Sequence, residues 1–243
     1  MNIPDNILIV VPARGGSKRI PKKNIQVIAG QPMIFWPLME LSKLFDASKV
    51  IVSTDDAEIS SIVASIGLRT PFKRPKKLCD DFTGSVEVTQ HALDWYEKNL
   101  GKIDYVLTVY PTAVLLSLKD VISAINLLKE DLNCDMVMSA TTFPAPIARA
   151  VFANKDGYAE MFQPENYSTR SQDLVEAFHD AGQFYMNTAD SIRAKKAFTS
   201  SNIKLHHLHR NNVIDIDTLE DFEIAEEKLN SLYPSNSVKK WSF

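Results

Sequence analysis

Short apolar runs alternate along the chain with longer stretches whose apolar positions recur at helical spacing, a pattern that predicts βαβ units and a largely parallel sheet. The runs are Ile7-Leu8-Ile9-Val10, Lys49 to Thr54, Tyr105 to Tyr110 and Asp135 to Thr141. Between them, helices are predicted over Pro32 to Phe45, Ala57 to Ile66, Ser85 to Asn99 and Leu118 to Lys129. Asp55-Asp56 stands where a side chain would cap the second of these, and Gly67 where the helix would stop. The pair is equally compatible with metal binding. Pro71 to Asp81 and Pro111-Thr112-Ala113 read as irregular loops over one sheet edge.

From Phe143 to Asp180 the alternation gives way to a passage rich in proline, glycine and asparagine. Segments around Ala150-Val151-Phe152 and Tyr158 to Met161 predict a hairpin with Asp156-Gly157 at its turn. The passage is too long for a simple connection. Residues 143–180 are therefore expected to form an excursion, within a single domain of residues 1–243, that covers a site or meets a second subunit. Regular elements resume with strands at Gln183 to Asn187 and Leu205 to His209, and a short helix at Ala189 to Lys195 between them. A terminal helix runs from Thr218 to Leu232, with Thr218 and Asp221 spaced as a capping box.

Composition narrows the class. The chain has 243 residues, 45% hydrophobic and 23% charged, enough for one sizeable soluble α/β domain. A formal net charge of -3 argues against non-specific nucleic-acid binding. No apolar run approaches membrane-spanning length and the first residues lack a charged n-region, so a cytoplasmic protein is expected. Cys79 and Cys134 are too few and too separated for a disulfide framework or a zinc site.

Against that acidic background, Arg14, Lys18, Arg19, Lys22 and Lys23 crowd into ten positions, and no acidic residue occurs between Asp5 and Glu40. The cluster follows the first buried strand directly, at the carboxyl edge where open α/β sheets place ligands. Gly15 and Gly16 would allow positive φ and close approach of backbone N–H groups to phosphate oxygens, with Ser17 adding a hydroxyl. The spacing fits neither the dinucleotide fingerprint nor the P-loop, and Pro21 disfavours an immediate helix. The alternative is a solvated basic turn.

Asp215-Ile216-Asp217 is the second candidate. On extended backbone both carboxylates share a face, an arrangement suited to Mg²⁺ when a triphosphate supplies further ligands. The alternative is that Asp217 caps the terminal helix. His206, His207 and His209 lack further ligands at zinc spacing and read as strand histidines. Arg170 is suited to bidentate capture of a carboxylate, although a surface arginine is the commoner case.

Pro12-Ala13-Arg14-Gly15-Gly16-Ser17-Lys18-Arg19-Ile20-Pro21-Lys22-Lys23-Asn24 resembles the nucleotide-binding signature of the CMP-sialic acid synthetase family, sugar-activating cytidylyltransferases. The resemblance implies a Rossmann-like nucleotide-diphospho-sugar transferase fold, CTP as substrate, Mg²⁺ as cofactor and a homodimer built on residues 143–180. It implies nucleotide contacts from Pro12, Ala13, Arg14, Gly15, Gly16, Ser17, Lys18, Lys23, Asn24, Arg74, Thr83 and Ser85, and metal ligation by Asp215 and Asp217. Arg14, Lys18 and Asp217 would carry the chemistry. Arg170, Gln172 and Asp173 look like the family's arginine-glutamine-aspartate motif facing the sugar acid, with Ser171 inserted.

Tyr110 stands where sialic and KDO enzymes commonly have glutamine, and the sugar-side strand reads Asp180-Ala181-Gly182-Gln183-Phe184-Tyr185. Both features are similar to the pseudaminic acid branch of the family. Sugar contacts are accordingly expected from Tyr110, Asp180, Gln183, Phe184 and Tyr185. The expected reaction converts CTP and a nine-carbon 2-keto acid, pseudaminic acid, into the CMP-sugar and pyrophosphate. Sialic, legionaminic or KDO-type acids are the alternative substrates, and a non-catalytic CTP-sensing module is the alternative of another kind.

Overall fold

The computed structural model describes residues 3–17, 19–196, 198 and 201–234. Among them a six-stranded sheet runs in the order β10-β6-β9-β5-β1-β4. Its strands are β1 (Ile7–Pro12), β4 (Val50–Ser53), β5 (Tyr105–Val109), β6 (Met136–Thr142), β9 (Phe178–Thr188) and β10 (Ile203–His207). β1 pairs in parallel with β4 and β5, and β6 with β10, whereas β9 is antiparallel to both β5 and β6. The sheet is thus mostly parallel. β9 reverses direction because it follows the excursion and not a crossover helix, the connection that parallel pairing requires.

Ile7 to Val11 are all at most 2% exposed, which is why β1 reads as an unbroken apolar run. Ile7, Ile9 and Val11 pack with side chains of α1 (Phe35–Ser42), α2 (Ala57–Ser65) and α4 (Leu118–Lys129) on one face. Leu8 and Val10 pack with α3 (Ser85–Asn99) and α5 (Ala189–Arg193) on the other. α3 and α4 have the bounds read from the sequence. Asp56 caps α2 by accepting from the amides of Glu58 and Ile59, at 2.8 and 3.1 Å.

α1 is shorter than the apolar spacing implies. A hairpin of β2 (Val27–Ile28) and β3 (Gln31–Pro32) precedes it, turning on Ala29 and Gly30, both with positive φ. Trp36, Ile28 and Ile20 form a third apolar cluster with Ile216 and with Ala225 and Leu229 of α6 (Leu219–Leu232). Thr218 and Asp221 cap α6 reciprocally, as their spacing indicates.

The excursion carries a separate antiparallel hairpin, β7 (Val151–Ala153) and β8 (Ala159–Met161), with Gly157 at φ 85° in its turn. Its apolar side chains face outward: Val151 is 60% exposed, Tyr158 72%, Tyr167 80% and Val175 90%. His206 bonds Asp120 at 2.9 Å and the His207 ring stacks on Phe178, which accounts for two strand histidines without a metal. No helix among the described residues is long and apolar enough to cross a membrane. The terminal segment 235–243 lies outside the described residues.

Candidate active site

β1 delivers the basic loop to the carboxyl edge of the sheet. The loop is then fastened by acidic neighbours, with Gly15 N–H donating to Asp55 Oδ1 at 3.0 Å. A Cβ on Gly15 would lie 2.5 Å from Asp56 Oδ2, so close approach of the second aspartate demands glycine there. Neither Gly15 nor Gly16 has positive φ, contrary to the expectation from sequence. The left-handed residue is Lys22, at φ 52°, whose ammonium pairs with Glu58. Asp55 and Asp56 serve as loop anchor and helix cap.

Asn24 is 6% exposed and donates to Arg14 C=O at 2.9 Å, bracing the loop from beneath. Arg14 donates to Asp80 C=O at 2.8 Å and to Asp81 Oδ1 at 2.7 Å, which ties the segment between α2 and α3 to the cleft. Asp80 in turn accepts from Thr83 N–H and Oγ1, and these bonds hold its carboxyl below the usual range. Lys18 lies outside the described residues.

The acidic pair, two hundred residues downstream, meets this loop. Asp217 Oδ2 accepts from Arg19 at 2.7 Å and Oδ1 from Lys23 Nζ at 3.2 Å, while Lys23 also donates to Ile216 C=O at 2.8 Å. The segment 213–217 is not a sheet strand, but the alternation holds: Ile216 is fully buried beside Ile20 while the carboxylates point away from that core, Asp217 against Arg19 and Lys23 of the cleft wall. Asp217 does not cap α6, because Thr218 does. Partial burial, then the Asp217 charge, raises the Asp215 pKa, and Lys23 opposes them. Among the described residues no third acidic, histidine or cysteine ligand joins the pair. Two carboxylates that repel each other beside an open polar cleft fit a hard divalent cation whose other ligands come from water and phosphate.

The cleft itself, about 400 Å³, is lined by Arg14, Ser17, Arg19, Lys23, Thr83 and Tyr110 among others. Tyr110 also borders a second, more apolar cavity of about 220 Å³ beneath α3, with Ser85, Asp180 and Tyr185. Tyr110 donates to Ser85 Oγ at 3.3 Å, and its ring meets that of Tyr185 at 5.5 Å edge to face. Tyr185 donates to Asp180, and burial first, then the neighbouring Tyr110 and Asp180, raise its pKa strongly.

A bulge in β9 creates that pairing. Met138 of β6 faces Tyr185 and Ala140 faces Asp180, so the single residue Ser139 stands opposite residues 181–184. Gly182, at φ 62°, turns the bulge and lies against Asp215, its hypothetical Cβ 3.4 Å from the carboxyl carbon. The change of phase puts Asp180 on the cavity face with Tyr185. It also turns two residues expected at the sugar into the fold: Gln183, 2% exposed, donates to Asn212 C=O at 2.6 Å, and Phe184 is wholly buried in the main core.

Three further groups expected at the site lie apart from the cleft. Arg74 is 4% exposed and does not line the cleft; it donates to the Ser53 hydroxyl and carbonyl, and burial lowers its pKa. Ser85 borders the second cavity, not the cleft. Arg170, Gln172 and Asp173 are exposed on the excursion, with Arg170 bonded to Asp173 at 3.1 Å, and they line neither cavity. Arg19, Asp55 and Asp81 were absent from the expected site, although Arg19 stood in the basic cluster.

A sheet whose carboxyl edge joins a basic glycine loop to paired carboxylates, with a second cavity alongside, has the layout of a nucleotidyltransferase. The family model for cytidylyltransferases matches residues 8–227, and the chain belongs to that family. It is 37% identical over 90% of its length, and 94% of the other chain, to the pseudaminic acid cytidylyltransferase of Campylobacter jejuni subsp. jejuni serotype O:2. It is 26% identical over 91% of its length, and 95% of the other, to the CMP-N,N'-diacetyllegionaminic acid synthase of Legionella pneumophila. Its fold matches that of a CMP:2-keto-3-deoxy-manno-octonic acid synthetase solved with CTP, at TM-score 0.70 and 17% identity over 94% of this chain and 100% of that one. The chain is an enzyme, a cytidylyltransferase, on the same Rossmann-like framework.

Proposed function

We propose that this enzyme converts CTP and pseudaminic acid into CMP-pseudaminic acid and pyrophosphate. The observation that carries the reading is the meeting of Arg19 and Lys23 with Asp217 at a polar cleft that shares Tyr110 with a second, less polar cavity. The cleft suits a triphosphate and the cavity a sugar. Greater similarity to the pseudaminic than to the legionaminic enzyme supports the choice of acid.

The anomeric hydroxyl attacks the α-phosphorus in line, forming the new P–O bond as the bond to pyrophosphate breaks and giving up its proton to solvent. Pyrophosphate leaves toward Arg14 and Ser17, whose charge and donors stabilise it, and the Lys18 cation favours the same step. Pro12, Ala13, Gly15 and Gly16 hold this loop in place, Lys23 and Asn24 brace it, and Thr83 lies at the nucleoside end. Tyr110, Asp180 and Tyr185 orient the sugar acid, so positioning supplies much of the rate. Asp215 and Asp217 would hold Mg²⁺, which when bound neutralises phosphate charge and polarises the α-phosphate.

Offering CTP with pseudaminic, legionaminic, N-acetylneuraminic and KDO acids in turn, and measuring pyrophosphate, tests the reading. The highest kcat/KM is expected with pseudaminic acid. A preference for another acid would reassign the substrate, and CTP binding without pyrophosphate from any acid would leave a sensing module.

We also propose a homodimer formed through residues 143–180, because this one stretch leaves Val151, Tyr158, Tyr167 and Val175 each largely exposed. Sedimentation should give a dimer that Val151→Glu with Tyr158→Glu converts to monomer; an unchanged monomeric wild type refutes this. The use of a nucleoside triphosphate supports a cytoplasmic location.

A further inference from the structure

In the cavity beneath α3 the polar side chains are, with one exception, already engaged. Thr89 and Thr108 bond each other at 3.0 Å, Tyr110 bonds Ser85, and Tyr185 bonds Asp180. Lys196 pairs with Asp135 at 2.7 Å, and Ser191 donates to Thr188 C=O at 2.8 Å. The exception is Asn187. It is 7% exposed, lines the cavity two residues along β9 from Tyr185, and its carboxamide has no hydrogen-bond partner among the described residues.

Its polar atoms open onto the cavity and are not sealed off, so a group that enters can bond them directly. Around Asn187 stand Met136, Met138 and Ile192, with Val86 and Phe198 completing an apolar wall. A side-chain amide has both an N–H₂ donor and a C=O acceptor, the complement of a secondary amide that brings one of each. The methyl group of an acetamido substituent would lie on the neighbouring apolar surface, whereas a hydroxyl would leave that surface unfilled. These features suit a ligand group that is an amide at one end and a methyl at the other.

We infer that Asn187 reads an N-acylamino substituent of the sugar acid and sets the enzyme's preference for acylated over hydroxylated substrates. The inference rests on the reaction proposed above and adds to it a specificity-determining residue. It requires the ring to enter with its carboxyl and anomeric end near Tyr110 and the cleft, and one acylamino group directed down the sheet toward Met136.

The test compares wild type, Asn187→Leu and the isosteric Asn187→Asp with pseudaminic acid and with two analogues, each having one acylamino group replaced by hydroxyl. Wild type is expected to favour the diacylated acid over one analogue by roughly ten- to hundredfold in kcat/KM. Both variants should reduce that ratio to about threefold or less, through the KM for the sugar, with kcat and the KM for CTP nearly unchanged. Wild-type discrimination retained in the variants overturns the assignment and shows that water alone satisfies the amide. Should Asn187→Leu fail to fold, Asn187→Asp decides the matter. If no acid yields pyrophosphate, the transferase reading fails instead. Calorimetric binding of pseudaminic acid to wild type and Asn187→Asp in the presence of CTP then still decides the role of Asn187, with equal affinities refuting it.

Discussion

Asp217→Asn is expected to lower turnover at saturating CTP by about a hundredfold or more, the scale on which one preorganised charge stabiliser acts. The substitution preserves shape and removes one negative charge from beside Asp215, whose pKa partial burial and that charge raise. Its effect should therefore depend on metal, with a raised Mg²⁺ requirement as well as a lower kcat. Binding of metal-free CTP should move the other way. Asp217 now neutralises Arg19 and Lys23 at 2.7 and 3.2 Å, and its loss leaves both cations to the triphosphate.

This opposition separates a metal ligand from a mere staple of the loop. Partly exposed ion pairs contribute about 0–1 kcal/mol to stability, so melting should hardly change. A staple would give the same small loss in every measurement. Full activity of Asp217→Asn at low Mg²⁺ would remove the carboxylate from the metal site.

Phe184→Ala is expected to cost about 3–5 kcal/mol of stability, the usual result of emptying a phenylalanine site in a packed core. Phe184 is fully buried among Met186, Val109 and Val137, and its amide donates to Ser139 Oγ at 3.1 Å. For a chain of this size that loss lowers Tm by roughly 6–20 °C. In the protein that remains folded at low temperature, the KM for the sugar acid should stay near the wild-type value. An unchanged Tm with a raised KM for the sugar would instead place the ring in the substrate cavity.

These two residues mark the limits of inference along the chain. Asp215 and Asp217 were legible as a pair because Ile214 and Ile216 give a period of two, and that phase survives although 213–217 joins no sheet. Phe184 was not legible in the same way. The same period, applied to Gln183 to Asn187, cannot register that Ser139 faces residues 181–184, and the bulge is set by what β6 offers across the ladder. A local count of residues has no access to the partner strand. The Gly15 position shows a milder case: a glycine was required, but by the Asp56 carboxylate and not by its own φ.

Length, apolar period and caps determined the alternating elements, the ends of α3 and α4, the excursion with its hairpin, and the candidate basic and acidic groups. Each of those depends on neighbours within a turn or two of chain, where propensity and hydrogen bonding act locally. Tertiary structure alone decided that Ile20 and Ile216 bury themselves against Trp36 and α6, bringing Arg19 and Lys23 onto Asp217. It likewise decided that Asn187 faces a cavity with its amide unmet. Those facts arise from burial of apolar surface between segments almost two hundred residues apart, and such contacts have no signature in the order of residues on either side.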